Sequence, residues 1–194
     1  VPAAMPRAIE RPRKPEVTIS KALSLTAYPG DGGIRTRGIA MLVADGVNGA
    51  PLLALHEKLV GAGAVPSFIA PRLGAIDTAD GVALEASATM ENAPPVLFDA
   101  LVLPDGEAGV NALAAIGQTN EFVVNHYRHC KTILALGASV KLLDSAGVSA
   151  RARATARDSG LLLGAAADVD RIGGWFIDAV AMHRHPSRET DPPR

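Results

Sequence analysis

Ile133-Leu134-Ala135-Leu136-Gly137-Ala138-Ser139 is the stretch that decides the fold. Four aliphatic residues in a row read as a strand buried on both faces. A glycine then breaks the run, and Val140, Leu142 and Leu143 continue into a helix that stops at Gly147. In many α/β enzymes a strand that turns sharply into a helix holds the nucleophile at the tip of the turn. The tip here is Gly137, which keeps the backbone geometry and supplies no attacking atom. The sequence predicts an enzyme scaffold whose nucleophile position is vacant.

The same rhythm of strand and helix recurs on both sides of that elbow. Residues 38–44 are an aliphatic run ended by Asp45-Gly46. Pro51 then fits the first turn of a helix, where its missing N–H is not needed. Leu52, Leu53, Leu55, Leu59 and Val60 follow at helical spacing, and Gly61 and Gly63 stop them. Residues 65–70 read as a second strand. Residues 74–90 alternate and carry the turn Asp80-Gly81, which predicts a hairpin excursion. Residues 97–103 form the next buried strand, closed by Pro104-Asp105-Gly106. Helices are predicted over 107–115, 119–129 and 172–183, the last bearing Trp175 and Phe176, with a short strand at 160–164. Residues 151–158 are polar and basic, in the manner of a loop or edge. Alternation of this kind predicts a mostly parallel sheet with right-handed crossovers and helices on both faces. Functional groups in such sheets lie beyond the carboxyl ends of the strands, here residues 45–48, 104–107 and 137–139.

Bulk composition agrees. The chain has 194 residues, of which 48% are hydrophobic and only 4% aromatic, so the core is aliphatic. A net charge of −1 gives no footprint for nucleic acid or an anionic membrane. No apolar run reaches the roughly 20 residues that span a bilayer. The lone cysteine, Cys130, excludes an internal disulfide and points to a reducing, cytoplasmic compartment. Three segments are expected. Residues 1–37 hold Pro2, Pro6, Pro12, Pro15 and Pro29 and read as an extended linker, part of which docks through Val17, Ile19, Leu23 and Leu25. Residues 38–185 form the α/β domain, and residues 186–194 a charged tail. The start at Val1 rather than methionine is expected of a piece of a longer polypeptide.

The strand ends carry polar residues without an evident constellation. Asp45 reads as a helix cap or, alternatively, a base; Asn48 has no titratable acid. Asp105 and Glu107 either favour the start of a helix by their charge or act as a carboxylate pair. Ser139 is expected to cap the helix after the elbow, and His56, mid-helix, is not placed to activate it. His126-x-x-His129-Cys130 puts possible zinc ligands on one helical face, but without the second half of a structural site. Arg128 and Lys131 would allow Cys130 modest reactivity. His183-x-His185, with Arg184 and Arg188, reads as a solvated terminus. No nucleotide-binding glycine motif is present, and Asp31-Gly32-Gly33 reads as a turn.

The elbow, the polar turn after the first strand and the Pro104-Asp105-Gly106 turn resemble the PfpI-like superfamily. That resemblance implies a flavodoxin-like, class I glutamine amidotransferase-like three-layer sandwich. In active members the elbow carries cysteine where Gly137 stands, and an acid after the first strand where the nearest residue is Asn48; both family positions are vacant. A second resemblance covers nearly the whole chain. Ile9-Glu10-Arg11-Pro12, Ala22-Leu23-Ser24-Leu25, Pro29-Gly30-Asp31-Gly32 and Ile34-Arg35-Thr36-Arg37 look like the linker of large-subunit heme catalases. Val43-Ala44-Asp45-Gly46-Val47, Ala70-Pro71-Arg72-Leu73-Gly74, Val102-Leu103-Pro104-Asp105-Gly106, Tyr127-Arg128-His129-Cys130-Lys131, His183-Arg184-His185 and Arg188-Glu189-Thr190-Asp191-Pro192 resemble their C-terminal domain.

The second resemblance implies a parent that dismutates hydrogen peroxide, with heme held in an upstream core. Such iron takes a tyrosinate in an R-x-x-x-Y context, whereas Tyr28 and Tyr127 follow Ser24 and Val123. The segment itself is expected to bind no cofactor and no metal, and to have no catalytic residue. Its expected partners are the upstream catalase core and its tetramer, with unfolded clients if it acts as a holdase-like chaperone. Two alternatives stay open: a PfpI-like thiol hydrolase or glyoxalase-type enzyme using Cys130 or Ser139, and a small-ligand module using the crevice of the sheet. An elbow with no thiol, imidazole or carboxylate converging on Gly137 would settle the question against an enzyme, and a cysteine, serine or histidine projecting there with a general base touching it would overturn that reading.

Overall fold

Aliphatic runs become strands here because each side of the ribbon meets a helix. The structure, a computed structural model, describes residues 20–23, 32–148 and 158–188. The chain divides into two units, Val1–Asp31 and Gly32–Arg194. The first is described at residues 20–23, with a 3-10 turn over Lys21–Leu23, so most of the expected linker lies outside the described residues.

In the second unit the strands are β1 (Gly38–Leu42), β2 (Val65–Ala70), β3 (Gly74–Ile76), β4 (Leu84–Ala86), β5 (Ala88–Thr89), β6 (Ala100–Leu103), β7 (Thr132–Leu136) and β8 (Leu161–Gly164). Six of them form one sheet in the order β5-β2-β1-β6-β7-β8, with every pair parallel. In the central strand Met41 lies opposite Phe68 on one side and Val102 on the other. β3 and β4 form a separate antiparallel ribbon, the expected hairpin. The helices are α1 (Gly49–Gly61), α2 (Glu107–Ala114), α3 (Gly117–Arg128), α4 (Val140–Ser145) and α5 (Val169–Ala181).

Successive strand residues point to opposite faces, and both faces are buried. Ile39, Met41, Val102, Leu134 and Leu136 pack with Leu52, Leu55 and Leu59 of α1 and Ile172, Phe176 and Val180 of α5. Ala40, Leu42, Leu101, Leu103, Ile133 and Ala135 pack on the other face with Val110 and Leu113 of α2, Phe122, Val123 and Tyr127 of α3, and Leu142 and Leu143 of α4. Burial of one such side chain is worth about 2 kcal/mol, so two apolar faces favour a covered sheet over any one-sided arrangement. The result is the expected three-layer, flavodoxin-like sandwich.

Several element ends shift by one to three residues, and two readings change in substance. The run at 97–103 does not begin as a strand: Pro95–Leu97 is a 3-10 turn, Leu97 is 63% exposed, and β6 starts at Ala100. Pro94 and Pro95 lack the N–H that a ladder needs. The C-terminal segment is not solvated throughout, since His185 and Arg188 are buried.

Candidate functional site

Gly137, at the carboxyl end of β7, has φ +51, a conformation that side chains rarely adopt. A Cβ at this position would lie 2.1 Å from Asp105 Oδ1 and 2.3 Å from Asp105 Cγ. The place of a nucleophile's side chain is thus filled by a carboxylate delivered from the end of β6. The turn that delivers it is tight: Gly106 has φ +109, and a Cβ there would meet Gly46 O at 2.7 Å. The Ala138 N–H donates to Asp105 Oδ1 at 2.9 Å, and Asn48 Nδ2 donates to Asp105 Oδ2 at 3.4 Å. The Asn48 backbone N–H donates to the Asp105 carbonyl at 2.9 Å. The three strand ends singled out in the sequence therefore meet at one point.

This corrects the expectation of an empty elbow. A carboxylate converges on Gly137, and it takes the Ala138 amide that would otherwise face a developing oxyanion. Its side-chain partner is the Asn48 amide, which is neither a nucleophile nor a base. Glu107 does not complete a carboxylate pair, because it is exposed and its partner is the ammonium of Lys141. Ser139 is fully buried at the N-cap of α4, yet its hydroxyl caps nothing. It donates back to the Leu136 carbonyl at 2.8 Å, within the elbow that precedes the helix. His56 stacks on Phe68 at 5.1 Å and takes no part.

Asp45 is not a helix cap either. It accepts from the Asp77 N–H at 3.0 Å and from Arg72 at 3.0 and 3.2 Å. The Asp77 amide, then the Arg72 guanidinium, holds its carboxyl below the usual carboxylate range. The residue that caps α1 is Asp80, which accepts from Gly49 N–H at 3.0 Å and Ala50 N–H at 2.8 Å. Its pKa is lowered chiefly by the Ala50 amide. The turn signal Asp80-Gly81 located this residue without revealing that it reaches across to α1. Between Ala44–Asp45, Pro71–Arg72 and Ile116 an open cavity of about 220 Å³ marks the crevice. Its lining is aliphatic apart from the Asp45–Arg72 pair.

The His126, His129 and Cys130 group lies at the opposite, amino end of β7. His126 is fully buried, its Nδ1–H donates to the Phe122 carbonyl at 2.8 Å, and burial pushes its pKa down to about 3. His129 is exposed, whereas Cys130 is buried at φ +58 just past α3. Among the described residues no group of three or more His, Cys, Asp or Glu side chains is placed to hold a metal ion. The Lys131 ammonium bonds the Pro95 and Phe98 carbonyls.

The C-terminal histidine and arginine residues, read as solvated, divide in two. Arg184 is exposed. Arg188 instead forms a bidentate pair with Asp158 at 2.6 and 2.9 Å, with side chains 2% and 4% exposed. It also donates to Lys131 O at 2.6 Å and lies 4.7 Å from the Tyr127 ring centre. His185 joins Thr132 Oγ1 and Ser159 Oγ, each at 3.0 Å. The segment is fastened by long-range polar contacts that no local pattern announces.

A family model described as the C-terminal domain found in long catalases matches residues 35–190. The chain is 36% identical over 170 residues to catalase HPII of Pseudomonas putida, covering 88% of this chain and 22% of that protein. It is 35% identical over 183 residues to catalase HPII of Mycobacterium avium, covering 89% of this chain and 25% of that protein. It thus spans no more than a quarter of the length of these two relatives. Among solved structures, a cysteine-to-alanine mutant of a DJ-1 superfamily protein from Salmonella typhimurium matches with a TM-score of 0.61 and 20% identity, over 74% of this chain and 94% of that one. A ThiJ/PfpI domain protein from Brachyspira murdochii matches with a TM-score of 0.64 and 12% identity, over 75% and 97%. At such identities these two share the fold.

Proposed function

Because the chain belongs to the family of C-terminal domains found in long catalases, we propose that it serves its parent as a non-catalytic auxiliary domain. In this reading a heme-binding core upstream dismutates hydrogen peroxide to water and oxygen, and this domain stabilises the parent and its tetramer. The observation that carries the reading is the Asp105 carboxylate seated where Gly137 would otherwise bear a nucleophile. Gly137 and Asn48 stand as vacant family positions, and Asn48 donates to Asp105 instead of acting as an acid. Tyr127 does not suit a heme iron, since it lacks the R-x-x-x-Y context and is packed in the core with Phe122, Val123 and Leu143. The heme belongs upstream. Among the described residues no helix is long and apolar enough to cross a membrane, and the lone cysteine suits the reducing cytoplasm.

Deleting the domain from the parent tests this. The melting temperature should fall and the tetramer should dissociate at lower denaturant concentration; an unchanged parent refutes the stabilising role. Exposed Val96, Leu97, Trp175 and Met182 favour a second reading, a holdase-like chaperone for unfolded clients. Light scattering from a heat-labile client should then be suppressed by the added parent protein but not by the deletion variant. The PfpI-like hydrolase or glyoxalase alternative draws no support from the elbow, and its remaining thiol, Cys130, is buried at the other end of the sheet.

A further inference from the structure

We propose that the face at the amino ends of the strands docks onto the upstream body of the same polypeptide, through aliphatic contacts and carboxylates that this body presents. The proposal rests on the auxiliary-domain reading and assigns the surface that performs it.

Among the large apolar side chains exposed at this end are Val65 at 57%, Val96 at 69%, Leu97 at 63% and Met182 at 64%. They are not scattered singly. Val65 opens β2 and its N–H donates to the Arg37 carbonyl. Arg37 pairs with Asp99 at 3.4 Å, and the Asp99 carboxylate also accepts the Gly38 N–H. Leu97 O lies 3.4 Å from where a Cβ on Gly38 would sit, and the Lys131 ammonium reaches Pro95 and Phe98 on either side of Val96-Leu97. Met182 closes α5 and leads into His183 and Arg184, whose guanidinium reaches the His129 carbonyl at 2.8 Å. Burial depresses the His183 pKa first, and Arg37 and Arg184 add to it, with Asp99 opposing and Lys131 contributing least. Three cations around one carboxylate thus share a surface with four aliphatic side chains.

That combination selects the occupant. An aliphatic centre edged by unbalanced positive charge fits a protein surface that offers carboxylates between apolar groups. The polypeptide enters β1 at this face through Arg37, and its last described residue, Arg188, bonds Lys131 here. The family is one of C-terminal domains and the chain spans 22–25% of the two curated relatives compared above, so on the auxiliary-domain reading the body that this face would meet is several times larger than the domain. A face at the point of attachment meets that body at high effective concentration, which even a weak interface exploits.

Hydroxyl-radical footprinting of the full-length parent tests the assignment, with each rate normalised to its side chain's intrinsic reactivity. Leu97 and Met182 should be protected, while Trp175, 52% exposed on the outer side of α5, is labelled freely. In the full-length Leu97→Asp/Arg184→Glu variant the protection of Met182 should be lost. Free labelling of Met182 in the unaltered protein overturns the proposal, as does protection that disappears on dilution and so reports a second copy. If deletion of the domain destabilises the parent while Met182 is freely labelled, only the assigned face fails. If deletion changes nothing, the auxiliary role itself fails.

Discussion

Gly137 and Asp105 form a matched pair, and neither residue can be understood alone. The glycine was legible as the tip of an elbow because four aliphatic residues precede it and a helical pattern follows. The carboxylate that fills the tip was not legible, because its bond to the Ala138 amide joins residues 33 apart in sequence. Gly137→Cys should therefore not restore an enzyme. Its Cβ would clash with Asp105 at 2.1 Å in a left-handed backbone, and the protein should lose about 2–3 kcal/mol. In an Asp105→Ala background the same substitution should cost at least about 1 kcal/mol less, as read from a double-mutant cycle in urea. Equal costs in the two backgrounds would show that the pair is not coupled. His126 is the second decisive residue. It stays neutral in the folded protein, with a pKa of about 3 against an ordinary 6.5. The unfolded chain takes up a proton that the folded one refuses, so stability is complete above the ordinary value and is lost as pH falls from 6.5 toward 3. The slope from this one group is about 1.4 kcal/mol per pH unit. Between about pH 7 and about pH 4.5 the stability gap between the unaltered protein and His126→Leu should narrow by about 2.5 kcal/mol. A constant gap would mean that His126 takes up its proton in the folded state as readily as in the unfolded one.

At the scale of elements, the strands were the most legible part, since a sheet covered on both faces demands unbroken aliphatic runs. Helix capping was the least legible. Asp45 and Ser139 both stand where a cap is expected, and neither provides one. The cap of α1 comes from Asp80, in the loop between β3 and β4, which no local pattern links to Gly49 and Ala50. This makes the β3–β4 ribbon part of α1's foundation. Asp80→Ala should lower stability by about 1 kcal/mol, and Asp80→Asn, which keeps one acceptor, by less. Because the carboxyl pKa is lowered in the folded protein, this contribution is present above the ordinary carboxylate value and disappears as pH falls through the folded one. Amide exchange in the first turn of α1 should accelerate in Asp80→Ala and not in Asp45→Ala. Equal acceleration in both variants would assign the cap wrongly.

Across the whole molecule, the sheet carries its two specialised regions at opposite ends. The carboxyl end holds the filled elbow, and the amino end holds the polar fastening of the C-terminal segment. Composition made that segment look like a solvated terminus, because the arginines and histidines of a free tail and those of a fastened one are the same residues. What separates them is Asp158, which joins Arg188 in a pair almost sealed from water and also accepts the Gly160 N–H at 2.9 Å. The contact ties the end of the described chain to the start of β8, and through Lys131 O and the Tyr127 ring to α3 and β7. Removing one partner strands the other charge in a dry site, a change that typically costs about 3–5 kcal/mol. Arg188→Ala should therefore destabilise the protein by about that amount, measured by urea unfolding, and should accelerate amide exchange along β8 more than along β1. Replacing both charges with apolar residues, Arg188→Met with Asp158→Leu, should cost much less than Arg188→Ala alone, because no unpaired ion is left behind. If the double variant proves as unstable as the single one, the pair acts through specific hydrogen bonds to Gly160 and Lys131 rather than through mutual neutralisation.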